Sequence, residues 1–312
     1  VTYSIVARDP ATGELGVGAQ THFFGVGALL PWAEAGVGAV ATQAFVNVEH
    51  GPHGLELLRA GVSASSTVDT LVAGDPDSAY RQLGVVDAVG SVGTHTGESC
   101  APCVAVARGT QVTVQGNMLA DPDVCAAALR AFEAEEGDLA DRILAGLLAA
   151  EAAGGDVRGS QSAALRVVSG NRGPAPWNEV RTDLRVDDHP DPVGELARLL
   201  PRSRAFGVVG SVMFARGLTL GPFTGIGPDE LDERLRALAD AAQVIGPDNR
   251  EADFWRAVLL ARAGRAAAAA ELFAEVTAHR AELLRFAENL APLGFLDEEA
   301  LAALTEHARR AP

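Results

Sequence analysis

Polar and apolar side chains alternate along Thr2-Tyr3-Ser4-Ile5-Val6-Ala7-Arg8, the two-residue period of a strand with distinct faces. Asp9-Pro10-Ala11-Thr12-Gly13 then supplies turn chemistry, and 14–20 resumes the strand pattern, which predicts a hairpin at the head of the sequence. Segments 26–30 and 37–45 are apolar runs broken by glycine. Segments 54–60 and 63–73 carry 3.6-residue spacing, with Ser63 placed as an N-cap. A second hairpin is predicted from 82–87 and 91–96 around Ala88-Val89-Gly90, followed by a strand at 112–115 leading into Gly116-Asn117. Helices are expected over 122–136 and 138–152, and closing strands over 162–169 and 184–186. Groups of strands separated by helices describe antiparallel sheets packed face to face with helices outside, a layered α+β sandwich.

Near residue 186 the character changes from glycine-punctuated strands to Ala/Leu/Arg/Glu helices. Asp187-Asp188-His189-Pro190-Asp191-Pro192 reads as a linker, with a helix over 193–200. Helical spacing recurs over 229–244, 250–263, 265–279 and 283–290, and 247–273 resembles one tetratricopeptide-like helix pair. The expected organisation is a sandwich domain over 1–186, a linker and connecting helix over 187–203, and an all-α extension over 204–312.

Composition narrows the partners. The 312 residues carry 41 Asp plus Glu against 25 Lys plus Arg, a net charge of −16. No basic surface is expected for nucleic acid or an anionic membrane. All 25 basic residues are Arg, which removes Schiff-base and lysine general-base chemistry. Three cysteines are too few for a disulfide framework, and no apolar run is long enough to span a bilayer, so a cytoplasmic protein is expected.

An amino-terminal Thr can act alone: its hydroxyl attacks a carbonyl while the free α-amine, with a reference pKa of roughly 7.7 to 8.0, takes the proton. Thr2 fits once residue 1 is removed. Val1 is readable as a GTG start, translated as Met and normally cleaved before a small residue.

The stretches Thr2-Tyr-Ser-Ile-Val-Ala-Arg-Asp9, Gly18-Ala-Gln-Thr-His-Phe-Phe24, Pro31-Trp-Ala-Glu-Ala-Gly-Val-Gly-Ala-Val-Ala-Thr-Gln43, His95-Thr-Gly97, Gln115-Gly-Asn-Met-Leu119 and Gly155-Asp-Val-Arg-Gly-Ser-Gln-Ser-Ala-Ala-Leu165 resemble domain-of-unknown-function family 1028, classed with the N-terminal-nucleophile (Ntn) hydrolases. The resemblance covers about residues 2–192. It implies a four-layer αββα sandwich, amide-bond hydrolysis and Thr2 as nucleophile. The tail resembles a helical extension of some members that carries a peptidoglycan-binding label. Proteasome-type relatives place a lysine and an aspartate beside the nucleophile; this chain has no lysine.

Further site candidates each have a functional and a structural reading. Gln20 and His22 end the strand paired with the N-terminal one: His22 relays a proton or simply caps the strand end. Glu34 falls where relatives carry their lysine and holds the α-ammonium or is a solvated loop carboxylate. Gln43, with Thr42 and Asn47, supplies an oxyanion hole or pairs exposed strand ends, and Asn117 poses the same choice. In the glycine-rich loop, Arg158 clamps a substrate carboxylate with Asp156 fixing its rotamer and Gln161 nearby, or makes a structural turn. Cys100-Ala-Pro-Cys103 and His50/His53 carry weaker redox and metal signals, and no cofactor or metal is expected.

The expected function is thus an amidohydrolase acting on a small or peptide-like amide, with Thr2, His22, Gln43 and Asn117 catalytic and Gln20, Glu34, Asp156, Arg158 and Gln161 at the substrate. The rival is a non-catalytic ligand-binding or scaffold protein. A homo-oligomer and a protein partner at the C-terminal helices are the remaining partner expectations.

Overall fold

The computed structural model describes residues 2–308. The predicted first hairpin forms from β1 (Thr2–Arg8) and β2 (Leu15–Thr21), antiparallel with Thr2 opposite Thr21. Next come β3 (Pro31–Glu34), β4 (Gly38–Ala44), α1 (His50–Arg59) and α2 (Ala64–Gly74). Ser63 caps α2, its hydroxyl accepting from the N–H of Ser66 at 3.3 Å. The second hairpin is β5 (Arg81–Asp87) and β6 (Val92–Thr96). Then follow β7 (Ala105–Gly109), β8 (Val112–Asn117), α3 (Val124–Ala134), α4 (Leu139–Ala152), β9 (Ser162–Val168) and β10 (Val180–Val186).

The strands form two antiparallel sheets, one of order β10-β9-β2-β1-β8-β7 and one of order β3-β4-β5-β6. Alternation along β1 decides its surroundings. Tyr3, Ile5 and Ala7 pack with Phe132, Ile143 and Leu147 of α3 and α4, whereas Val6 packs with Ala39, Ala41 and Val86 of the other sheet. On the far side of the smaller sheet, Val40 and Val85 meet Leu55 and Leu58 of α1 and Val68 of α2. The helices therefore cover the outer faces. Gly18 lets α4 approach, since a Cβ there would lie 2.3 Å from Ile143 Cγ2.

One helix differs in length from the sequence expectation. The helix expected over 193–200 runs as α5 (Pro192–Met213) and contains Pro201. The chain divides into two compact units, 1–200 and 201–312, and Val193, Leu196 and Leu200 belong to the core of the first. The second unit holds α6 (Pro228–Ile245), α7 (Glu251–Arg262), α8 (Ala266–His279), α9 (Glu282–Leu290) and α10 (Glu298–Ala308). Its centre is aromatic: Phe254 lies 5.3 Å from Trp255 and 5.1 Å from Phe286, ring to ring. The buried Arg262 donates to the carbonyls of Leu218, Gly221 and Phe295, tying two loops to α7.

A fragment of residues 2–200 is expected to fold alone, because Val193, Leu196 and Leu200 complete its core. A fragment ending at 192 loses all three. Leu196→Ala in the longer fragment should cost about 2 to 4 kcal/mol by denaturant titration, and a cost below 1 would show that α5 is dispensable to this core.

Candidate functional site

β1 is flanked by β2 and β8, and its start lies at the mouth of the space between the sheets. Thr2 pairs with Thr21 on one side and Asn117 on the other. Its hydroxyl donates to Thr21 Oγ1 at 3.1 Å. Behind it, the facing strands are joined by a buried polar network. Gln43 of β4 donates from Nε2 to Gln82 Oε1 at 2.7 Å and to the Thr2 carbonyl at 3.2 Å. Asn117 Nδ2 donates to Gln82 Oε1 at 3.0 Å and to the Thr2 carbonyl at 3.4 Å. Gln82 Nε2 in turn donates to Thr96 Oγ1 at 3.1 Å and the Gly116 carbonyl at 3.0 Å. One layer deeper, Ser4 Oγ donates to Gln43 Oε1 and accepts from Gln115 Nε2, both at 2.6 Å. Gly84 makes room, since a Cβ there would lie 2.5 Å from the Gln115 amide. Burying amides is tolerable here because each finds partners.

At the open end of this network lies a cavity of about 510 Å³. Thr2, Thr21, Thr42, Gln43 and Asn117 form its polar wall. Val26, Leu29, Leu30, Phe23, Phe45 and Met118, with Ala44, Val46 and Ala101, form the apolar one, and Arg81 and Arg158 complete it. Of the nine residues expected at the site, Thr2, Gln43, Asn117 and Arg158 line the cavity. Asp156 stands behind Arg158: its carboxylate accepts from the main-chain N–H of His22 at 2.9 Å and of Arg158 at 2.8 Å, and from the Arg158 guanidinium at 3.2 Å.

The other four lie elsewhere. His22 is exposed and outside the cavity lining. Gln20 pairs with Tyr3 and shares its face of the sheet, toward the helices, where both amide atoms are buried without a described partner. Glu34 pairs with Arg59, accepting from Nε at 3.0 Å. Gln161 donates to Asp188 at 3.2 Å.

Two groups that belong to the family resemblance as Arg81-Gln82, but are not among the expected site residues, shape the site. Arg81 donates to Asp75 from Nε at 2.9 Å and to the Phe45 carbonyl at 2.6 Å, holding the segment after β4 against the cavity. The Arg81 guanidinium keeps the Asp75 carboxyl at about 2. His50 Nε2 lies 3.2 Å from the same carboxylate, and burial lowers its pKa. Gln82 is the second: it is fully buried, and a glutamine heading the apolar run Leu83-Gly84-Val85-Val86 is the signal in the sequence.

Residues 2–196 match the model of the Family of unknown function (DUF1028), and the chain belongs to that family. It is similar to a crystal structure of the protein SPO2555 from Silicibacter pomeroyi, which carries the same family model. The two share 33% identity at a TM-score of 0.59, over 65% of this chain and 88% of that one. No curated protein matches the chain.

Gln82→Leu should destabilise by at least about 2 kcal/mol, because it removes the acceptor shared by the buried amides of Gln43 and Asn117 and a donor to the buried Gly116 carbonyl. A neutral result in denaturant titration would mean that the network relaxes freely. Asp75→Asn should lower Tm at neutral pH. With a folded pKa of about 2 against a reference of 3.8, the carboxylate's contribution is full above about 4 and lost as pH falls toward 2. The Tm gap between parent and variant should close over that acid range.

Proposed function

We propose that the protein is an amide hydrolase of the N-terminal-nucleophile type, acting through Thr2 once residue 1 has been removed. The observation that carries this reading is the position of Thr2: first residue of an inner strand, with its side chain at the wall of a 510 Å³ cavity. Two face-to-face sheets with helices on their outer faces support the αββα sandwich implied by the family resemblance. Val1 itself lies outside the described residues.

In the mechanism, Thr2 Oγ1 attacks the amide carbonyl carbon while its proton passes to the α-amine. The tetrahedral intermediate collapses, the C–N bond breaks, and the leaving amine takes that proton. Water then hydrolyses the ester by the same route and frees the hydroxyl. No lysine is needed for these transfers. Gln43 and Asn117 act as positioning residues in this scheme, since both amides hold the Thr2 carbonyl and fix the direction of the strand end. The same bonds favour one alternative, a non-catalytic ligand-binding protein, because donors spent on the main chain are not aimed at an oxyanion.

A test independent of substrate is acylation by a β-lactone, which an activated Thr opens to an ester. Protein made in a bacterial host should have an intact mass starting at Thr2 and should gain one adduct mapping to that residue. Thr2→Ala should gain none and Thr2→Ser should react in part. Processed protein that stays unlabelled, or unprocessed protein that labels equally, would overturn the nucleophile assignment.

A further inference from the structure

We propose that the cavity takes an amphiphilic amide, an apolar acyl chain joined to an amino acid whose carboxylate meets Arg158. The inference rests on the Thr2 reading for the position of the scissile bond, and its binding half is testable without it.

The charge pattern comes first. The chain has an excess of acid and a net charge of −16, yet none of the described residues lining the cavity is acidic. Of the two guanidiniums there, Arg81 is engaged by Asp75 and the Phe45 carbonyl. Arg158 also pairs with an acid, donating from Nε and Nη2 to Asp156, but its side chain is more exposed than that of Arg81, which is 14% exposed. The Asp156 side chain is 0% exposed and also receives main-chain N–H groups, whereas the Arg158 side chain is 38% exposed, so the cavity meets the guanidinium and not the carboxylate behind it. A charged group presented in this way recognises a carboxylate through charge-assisted hydrogen bonds.

The remaining wall is apolar and continues outward. Phe23 and Phe45 line the cavity while remaining 59% and 64% exposed. Tyr80 stands edge-on to Phe45 at 5.8 Å. An apolar chain lying along these rings would remove them from water, which a small polar amide would not. The absence of acid among the described lining residues also selects between acyl and peptidyl substrates: a peptide's α-ammonium would enter the cavity without a counter-charge.

The test is calorimetric titration of the Thr2→Ala protein with N-acetylglycine, N-octanoylglycine, N-octanoylglycinamide, N-(4-methylpentanoyl)glycine and leucylglycine. N-octanoylglycine should bind at least about thirtyfold tighter than N-acetylglycine, because its longer chain takes further methylenes out of water. Its uncharged amide should bind tenfold or more weakly, and Arg158→Gln should erase that difference. The methylpentanoyl compound should exceed leucylglycine, which has a similar shape plus an ammonium. Phe45→Ser, at an exposed position, should flatten the chain-length dependence. Affinity independent of chain length, or equal for acid and amide, would overturn the proposal. Tight binding to Thr2→Ala with no turnover by the processed protein would sink the nucleophile assignment and leave this one standing.

Discussion

The buried amide network between the sheets constrains everything around it. Gln82 uses both amide hydrogens and accepts two hydrogen bonds through Oε1, so displacement of either sheet leaves donors without partners in a place water does not reach. An apolar interface tolerates small slips; this one penalises them. The network fixes which residues of β1 and β8 stand opposite β4 and β5, and with them where the strand ends open into the cavity. The cost is adaptability in the wall behind Thr2, where Gln43 and Asn117 are already committed to its carbonyl.

The site follows from this scaffold in two directions. Toward β2, the Thr2 hydroxyl meets Thr21, and the loop after α4 brings Arg158 to the cavity with Asp156 buried behind it. Toward the smaller sheet, Arg81 reaches back to Asp75 and forward to the Phe45 carbonyl. Both arginines are held by acids that stay out of the cavity lining, so neither guanidinium is an unpaired buried charge. Tyr3 plays the matching part on the other face. Its hydroxyl donates to Glu151 at 2.6 Å, and Ser160 donates to the other oxygen of that carboxylate at 2.7 Å. The strand that begins with Thr2 and the loop that carries Arg158 are thus tied to the same side chain of α4.

Where sequence reasoning succeeded, period and turn chemistry agreed. Both hairpins, the Ser63 cap and helices α3, α4 and α6 to α9 came from such agreement. β7 was invisible because Ala105, Ala107 and Gly109 are small and Val106 is exposed at the sheet edge, leaving no hydrophobic alternation to read. The placement of Gln20 turned on register. Thr2 stands opposite Thr21, so Gln20 shares the face of Tyr3, and a shift of one residue separates the cavity from the helix layer. Glu34 was drawn toward the site by its place in the family motif, while its local charge partner is Arg59, far away in sequence. Gln43 and Asn117 were legible as special because polar groups in apolar strands need partners. That those partners are each other's neighbours required both sheets.

The acidity of the chain bears on how the proposed carboxylate ligand would reach Arg158. A net charge of −16 disfavours long-range approach of a carboxylate, and that repulsion weakens beyond a Debye length of about 8 Å at physiological salt. Inside the cavity the balance reverses, because the described lining holds no acid and the guanidinium acts at contact distance. Apolar contact with Phe23 and Phe45 is insensitive to charge and offsets part of the repulsion before the carboxylate is seated. A small polar anion has no such contribution and faces the repulsion alone. For the ligand proposed here, selection for an apolar chain therefore comes from the wall and not from the net charge, so added salt, which screens the same single charge in each, should speed association of short and long anionic ligands alike.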